Sequence, residues 1–126
     1  MDVVISIKPK YVRQILTGAK TYEYRKTVPK QKFNRIYIYE SAPIKKIVAW
    51  FTVKKIMKAI PADLWESTFE QSGLEKAEFD NYFRDKEYAY ALQIDEMHIL
   101  EKPVNPVDLW CGFKVPQSFC YVKGVE

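Results

Sequence analysis

Gly18-Ala19-Lys20-Thr21-Tyr22-Glu23-Tyr24-Arg25 packs one glycine turn, two cations, one carboxylate and two tyrosines into eight residues. Read as a strand after the glycine, its side chains alternate between faces. Thr21, Glu23 and Arg25 then share one face, and Tyr22 and Tyr24 share the other. Lys20 stands at the mouth of the turn, and Glu23 and Arg25 are near enough on their face to hold each other. A carboxylate fixed between cations suits an anionic or hydrogen-bonding ligand. The same charges on a solvated edge strand would form a salt-bridge ladder of little energetic weight.

On the N-terminal side, Val3 to Ile7 is a short β-branched run that reads as a buried strand. Lys8-Pro9 opens a helix, since proline suits a first helical turn. Tyr11, Val12, Ile15 and Leu16 fall at helical spacing, with Lys10, Arg13 and Gln14 opposite. Gly18 is then the helix stop. The chain thus begins strand, short basic helix, glycine turn, strand.

On the C-terminal side, residues 26–34 are polar and basic and read as an exposed loop. Arg35 to Glu40 is a strand broken by Ser41-Ala42-Pro43, and Lys46 to Ile56 is another. Pro61 opens a helix with Leu64, Trp65 and Phe69 on one face, ended by Gly73. Ser72 with Glu75 has the spacing of a capping box for a following helix that buries Phe79, Tyr82 and Phe83. Tyr88, Tyr90, Leu92 and Ile94 alternate as in a strand; Pro103 and Pro106 are expected to end it, and Val115 to Val122 reads as a last strand. There is no internal repeat. This order fits an α+β fold: a small, mostly antiparallel sheet closed into a barrel, with a helix after the first strand and a helical pair inserted before the last strands.

The 126 residues suit one domain, and 48% hydrophobic content supports a sizeable core. No apolar run is long enough to span a membrane, and Met1-Asp2-Val3-Val4 lacks the basic start of a signal peptide. Cys111 and Cys120 form no ligand pattern and are expected to be reduced, buried or half-buried thiols of a cytosolic protein. His98 is the one histidine, so one His and two Cys make no zinc set, and no cofactor or metal is expected. Charge is lopsided. Residues 1–60 carry 14 Lys/Arg and 3 Asp/Glu, and residues 61–126 carry 6 and 13. A basic half points to a polyanion partner, unless the halves interleave and neutralise.

The pattern Gly18-x-Lys20-x-x-Glu23-x-Arg25, placed after a helix that follows the first strand, resembles the signature of ASCH domains in the PUA-like superfamily of small β-barrels. Ile7-Lys8-Pro9, the Ser41-Ala42-Pro43 break, the Leu64-Trp65 helix and Pro116-Gln117-Ser118-Phe119 are similar to stand-alone bacterial and archaeal members, so the resemblance covers nearly the whole chain. It implies a barrel with a cleft beside the first helix, and RNA or a nucleotide-like ligand as partner, with a role around translation or transcription. Carried over, Lys20, Glu23 and Arg25 become the cleft charges and Gly18 shapes the turn. Thr21, Ser41, Gln117 and Ser118 are placed nearby, and Tyr37, Tyr39 and Phe119 are candidates for base stacking. One branch of the family hydrolyses the amide of N4-acetylcytidine with a lysine, a threonine and a glutamate. Its lysine maps onto Lys20, but its threonine falls where this chain has Glu23, and only Glu66 and Glu70 offer themselves for the later glutamate.

Three mechanisms follow. In a binding module, Lys8, Lys10, Arg13, Lys20, Arg25 and Lys26 meet phosphates while aromatics stack on bases, and Glu23 orients Arg25 or accepts from a base amino group. In a hydrolase of a modified nucleoside, a partly desolvated Lys20 acts as base or nucleophile and Glu23 moves a proton. In a metal-independent ribonuclease, the same basic cleft cleaves what it binds. The binding module, monomeric, is the leading expectation.

Overall fold

The computed structural model describes residues 1–125. The β-branched and aromatic runs form strands β1 (Asp2–Ile7), β2 (Tyr22–Arg25), β3 (Ile36–Glu40), β4 (Lys46–Ala59), β5 (Ala89–Val104) and β6 (Phe119–Val122). Helix α1 (Pro9–Leu16) lies between β1 and β2. Helix α2 (Pro61–Thr68), a 3-10 turn (Phe69–Gln71) and helix α3 (Lys76–Tyr82) are inserted between β4 and β5, and α4 (Pro106–Leu109) precedes β6.

All six strands make one sheet in the order β2-β5-β4-β3-β1-β6. Only β1 and β3 run parallel, as expected where a helix and a further strand intervene; the other neighbours are antiparallel. The barrel read from the sequence is present as a curled half-barrel. Its edges, β2 and β6, are not paired with each other. A side chain spans the gap instead: Arg25, at the end of β2, donates to the Ser6 carbonyl at 2.9 Å and to the Ser118 hydroxyl at 3.4 Å.

The sheet buries both faces. The inner face packs Val3, Ile5, Ile36, Ile38, Phe51 and Leu92 against Val12 and Ile15 of α1. Tyr24, Ala89 and Ala91 pack against Leu64, Phe79 and Phe83 of the inserted helices. Phe79 is fully buried with ring contacts to Tyr24, Trp65 and Phe83, so its truncation to alanine would cost about 3–5 kcal/mol. On the outer face Val4, Tyr37, Tyr39 and Ile47 lie under Trp110 and Phe113, which follow α4.

Several boundaries differ from the sequence reading. Pro103 does not end β5, which continues to Val104. Beyond Ile94, whose N–H still donates to the Thr21 carbonyl, this strand has β4 on one side and no paired strand on the other, so a missing N–H is tolerated there. β4 runs to Ala59, past Ile56, and the last strand is confined to Phe119–Val122. Phe69 leaves the α2 face for the 3-10 turn and is exposed. The cap of α3 comes from Glu78, whose Oε1 accepts from the Glu75 N–H, and not from Ser72, whose hydroxyl accepts from the Leu74 N–H. Gln14 does not face solvent on α1; its Oε1 is buried beside Gly73. Cys111 is exposed rather than buried, and both cysteines are free.

Of the three glycines with a left-handed conformation, Gly18 and Gly73 adopt it for different reasons. Gly18, at φ +82°, turns the chain from α1 to β2, with open space where a side chain would go. Gly73, at φ +70°, lets the insert approach α1: an added Cβ would meet Gln14 Oε1 at 2.6 Å and Lys20 Cβ at 3.0 Å. Gly18→Ala is therefore expected to cost about 1 kcal/mol, the left-handed penalty alone, or about 4 °C in thermal melting. Gly73→Ala adds a collision and is expected to cost about 2–3 kcal/mol. Equal losses from the two variants in a melting experiment would contradict this account.

Candidate functional site

A cleft of about 430 Å3 opens where α1, α3, β2 and the chain before β6 meet. Ser6 and Lys8 end β1 and lead into α1, which contributes Tyr11. Lys20 and the strand residues Glu23, Tyr24 and Arg25 form the floor. Leu74, Glu78, Asn81 and Tyr82 come from α3 and its approach, and Gln117, from the chain before β6, completes the lining.

Lys20 is almost wholly buried, 2% exposed. Its Nζ donates to the Ser72 carbonyl at 2.7 Å and lies over the rings of Tyr24, at 4.8 Å, and Tyr11, at 5.6 Å. Burial pushes its pKa below the usual lysine value; the nearby Glu23 carboxylate opposes that shift and Arg25 adds to it. Tyr24 bonds the Thr68 hydroxyl at 2.6 Å, and burial raises its pKa to about 12. The Tyr11 hydroxyl donates to Glu78 Oε2 at 2.8 Å, and burial followed by that bond raises Tyr11 to about 12 as well. Glu78 Oε2 also faces Lys10 Nζ at 3.3 Å. Its carboxyl is held below the usual range, first by Tyr11 and then by the Glu75 N–H.

Glu23 is also buried, 7% exposed. The sequence suggested that Glu23 and Arg25 hold each other. The structure corrects this: among the described residues they make no ion pair, because the guanidinium of Arg25 is drawn to Ser6 and Ser118. Glu23 Oε2 and Arg25 Nε are buried without hydrogen-bond partners.

Of the residues singled out from sequence, Lys8, Lys20, Glu23, Arg25 and Gln117 line the cleft. Ser118 holds Arg25 and Lys10 holds Glu78, each from just outside. Lys26 sits over the Tyr82 ring at 4.7 Å. Gly18 and the exposed Arg13 lie outside the lining. Thr21 is turned away: its hydroxyl donates to Gln71 Oε1 and its N–H to the Gln71 carbonyl. Ser41 belongs to the turn after β3, where its N–H donates to the Ile7 carbonyl. Tyr37 and Tyr39 are corrected outright, being 3% and 5% exposed on the outer face against Trp110 and Phe113, with no ring surface free for a base. Phe119 packs against the inner core. Glu66 and Glu70 flank a separate hollow beside the 3-10 turn. His98 is exposed on β5 and stacks on Trp50.

The sequence reading missed the α3 wall. Glu78, Asn81 and Tyr82 stand at i, i+3 and i+4, one helical face. Tyr11, placed by its spacing on the apolar side of α1, is half-buried against the core and presents its hydroxyl to that wall.

The sequence matches the ASCH domain family over residues 5–98. It is 26% identical to the ASCH domain-containing ribonuclease of Zymomonas mobilis, an alignment covering 99% of this chain and 86% of that protein. It is 30% identical to the large ribosomal subunit protein uL22 of Ureaplasma parvum, covering 96% of this chain but 39% of that protein. The fold superposes on the crystal structure of ASCH from Zymomonas mobilis with a TM-score of 0.88 at 25% identity, over 97% of this chain and 87% of that one. A substituted form of the same protein gives 0.88 at 24% identity.

The buried ionisable groups set a pH signature. Tyr24 and Tyr11 titrate higher when folded, so the stability they contribute is complete below pH 10 and is lost as pH rises toward about 12. Lys20 titrates lower when folded, so between that lowered value and 10.5 the unfolded chain holds more protons and stability rises with pH. In urea unfolding from pH 8 to 11.5, Tyr24→Phe is expected to soften the alkaline loss. Lys20→Met removes the opposing rise and is expected to steepen it. Parallel curves for wild type and Lys20→Met would refute the burial argument.

Proposed function

As the chain belongs to the ASCH domain family, we propose that its cleft binds single-stranded RNA and seats one nucleotide between α1 and α3. The observation that carries this reading is the buried set of Lys20, Glu23 and Arg25 on the floor of an opening large enough for a small ligand. Half-buried Tyr11 and Tyr82 line the walls and offer ring surface for a base. The exposed cations Lys8, Lys10 and Lys26 stand around the rim, where phosphates of the flanking chain would pass. The basic first half of the sequence thus supplies the rim, and the acidic second half supplies one wall through Glu78.

A second reading is cleavage of the bound RNA, favoured by the ribonuclease name of a relative that aligns along 99% of this chain. A 2′-hydroxyl oxygen attacks the adjacent phosphorus and the 5′-oxygen leaves, giving a 2′,3′-cyclic phosphate and a 5′-hydroxyl. One proton leaves the attacking hydroxyl and one reaches the departing oxygen. Lys20, whose buried ammonium gives up its proton more readily than an exposed lysine, is the proton-transfer group in this reading, and the Arg25 charge stabilises the phosphorane. The amide-hydrolysis alternative lacks support at the hydroxyl, since Thr21 is committed to Gln71 outside the cleft.

Short labelled single-stranded RNA separates these readings. Wild type is expected to bind with a salt dependence that falls by about 0.7 in log–log slope when Lys8 becomes alanine. Under the cleavage reading it releases fragments with cyclic phosphate ends, and Lys20→Met slows release at least 100-fold while remaining folded. Binding without fragments leaves the binding module standing alone. Absence of both, with turnover of N4-acetylcytidine instead, would replace the proposal by the amide-hydrolysis alternative.

A further inference from the structure

The buried polar groups of the cleft divide into those with protein partners and those without. The Lys20 ammonium is bonded to Ser72, the Tyr24 hydroxyl to Thr68 and the Tyr11 hydroxyl to Glu78; the terminal nitrogens of Arg25 are bonded to Ser6 and Ser118. Glu23 is the exception. More than nine-tenths buried, its side chain has no partner at Oε2 among the described residues, and Arg25 Nε, two residues along the same strand, has none either. Native folds rarely leave such groups bare, so a partner from outside the chain is the natural complement.

The set is a carboxylate whose buried Oε2 has no partner and, two residues along the same face of β2, one unpaired N–H donor. Their Cα atoms are about 7 Å apart. The pairing edges of the four bases answer this set differently. Uracil has a single N–H between two carbonyls, so a carboxylate would meet lone pairs on both sides. Cytosine offers one amino group beside two acceptors, and adenine one amino group beside one acceptor. Guanine alone offers two adjacent donor groups, N1–H and the 2-amino group, with the O6 acceptor next to them.

On the reading that this cleft binds RNA, we propose that it selects guanine. Glu23 accepts from N1–H and the 2-amino group, and Arg25 Nε donates to O6. Arg25 is held in place for that by Ser6 and Ser118, which makes those two residues positioning residues. Tyr11 and Tyr82 contribute stacking that any base can use, so they add affinity without selecting.

The test uses labelled eight-nucleotide RNAs of uridine with one central guanosine, inosine, adenosine, cytidine or uridine. The central nucleotide carries a 2′-fluoro group to prevent cleavage at that position. Fluorescence anisotropy at fixed salt is expected to show the guanosine oligomer bound at least tenfold more tightly than all-uridine, with inosine, which lacks the 2-amino group, in between. Glu23→Gln keeps the volume but exchanges an acceptor for a donor. It is expected to bring the guanosine-to-uridine ratio near one. Glu23→Asp, which keeps the carboxylate, is expected to retain part of the preference. Equal binding of guanosine and uridine oligomers by the wild type, or a ratio unchanged in Glu23→Gln, overturns the selection of guanine and leaves RNA binding intact. No binding to any oligomer overturns the RNA reading and this inference with it.

Discussion

The ammonium of Lys20, seated on the Ser72 carbonyl at 2.7 Å, joins the two halves of this molecule. It leaves the turn between α1 and β2 and ends inside the α2–α3 insert. Around it the Thr21 N–H and hydroxyl both bond to Gln71, and Gly73 supplies the missing side chain that lets the backbones come so close. A buried ammonium without such a partner would be strongly unfavourable. The carbonyl, the two tyrosine rings and the Glu23 carboxylate offset that cost, and each of them is thereby fixed relative to the others. The cleft is the space left between elements that this joint holds together.

Arg25 makes the corresponding tie at the other end of β2. A six-stranded sheet whose terminal strands stay unpaired exposes backbone groups at both edges. At one end of the gap the guanidinium substitutes for strand pairing by capturing Ser6 and Ser118. Glu78 adds a third tie, since one oxygen caps its own helix and the other takes Tyr11 from α1. Side chains rather than backbone ladders therefore set the width of the cleft.

Much of this was legible before any coordinates. The period-two run after Gly18 and the period-3.6 run before it are strong local signals, and β1, α1, β2 and the insert appear where those periods place them. Lys20, Glu23 and Arg25 could be grouped because eight residues of sequence confine them to one turn and one strand. The α3 wall could not, because a helical face at Glu78, Asn81 and Tyr82 says nothing about its meeting with Tyr11, 67 residues away in the chain. Tyr37 and Tyr39 misled for a related reason. Alternation marks two faces of β3, but not that Trp110 and Phe113 would return to cover the second one. Pro103 was read as a stop because strand propensity carries no knowledge of whether a neighbour is present to need its N–H.

The failed prediction of a Glu23–Arg25 pair is the most instructive of these. Two opposite charges at i and i+2 on one strand face lie within reach of each other, and in solvent they would have no better partners. In the fold Arg25 finds a carbonyl and a hydroxyl on the far side of the seam, and those bonds also hold the half-barrel at that edge. Glu23 is left buried and unmatched as a direct consequence. The bonds that span the seam are thus the same bonds that leave the Glu23 carboxylate without its neighbour's charge, so the closure of the half-barrel at that edge and the unmatched acceptor at the cleft both follow from where one guanidinium goes.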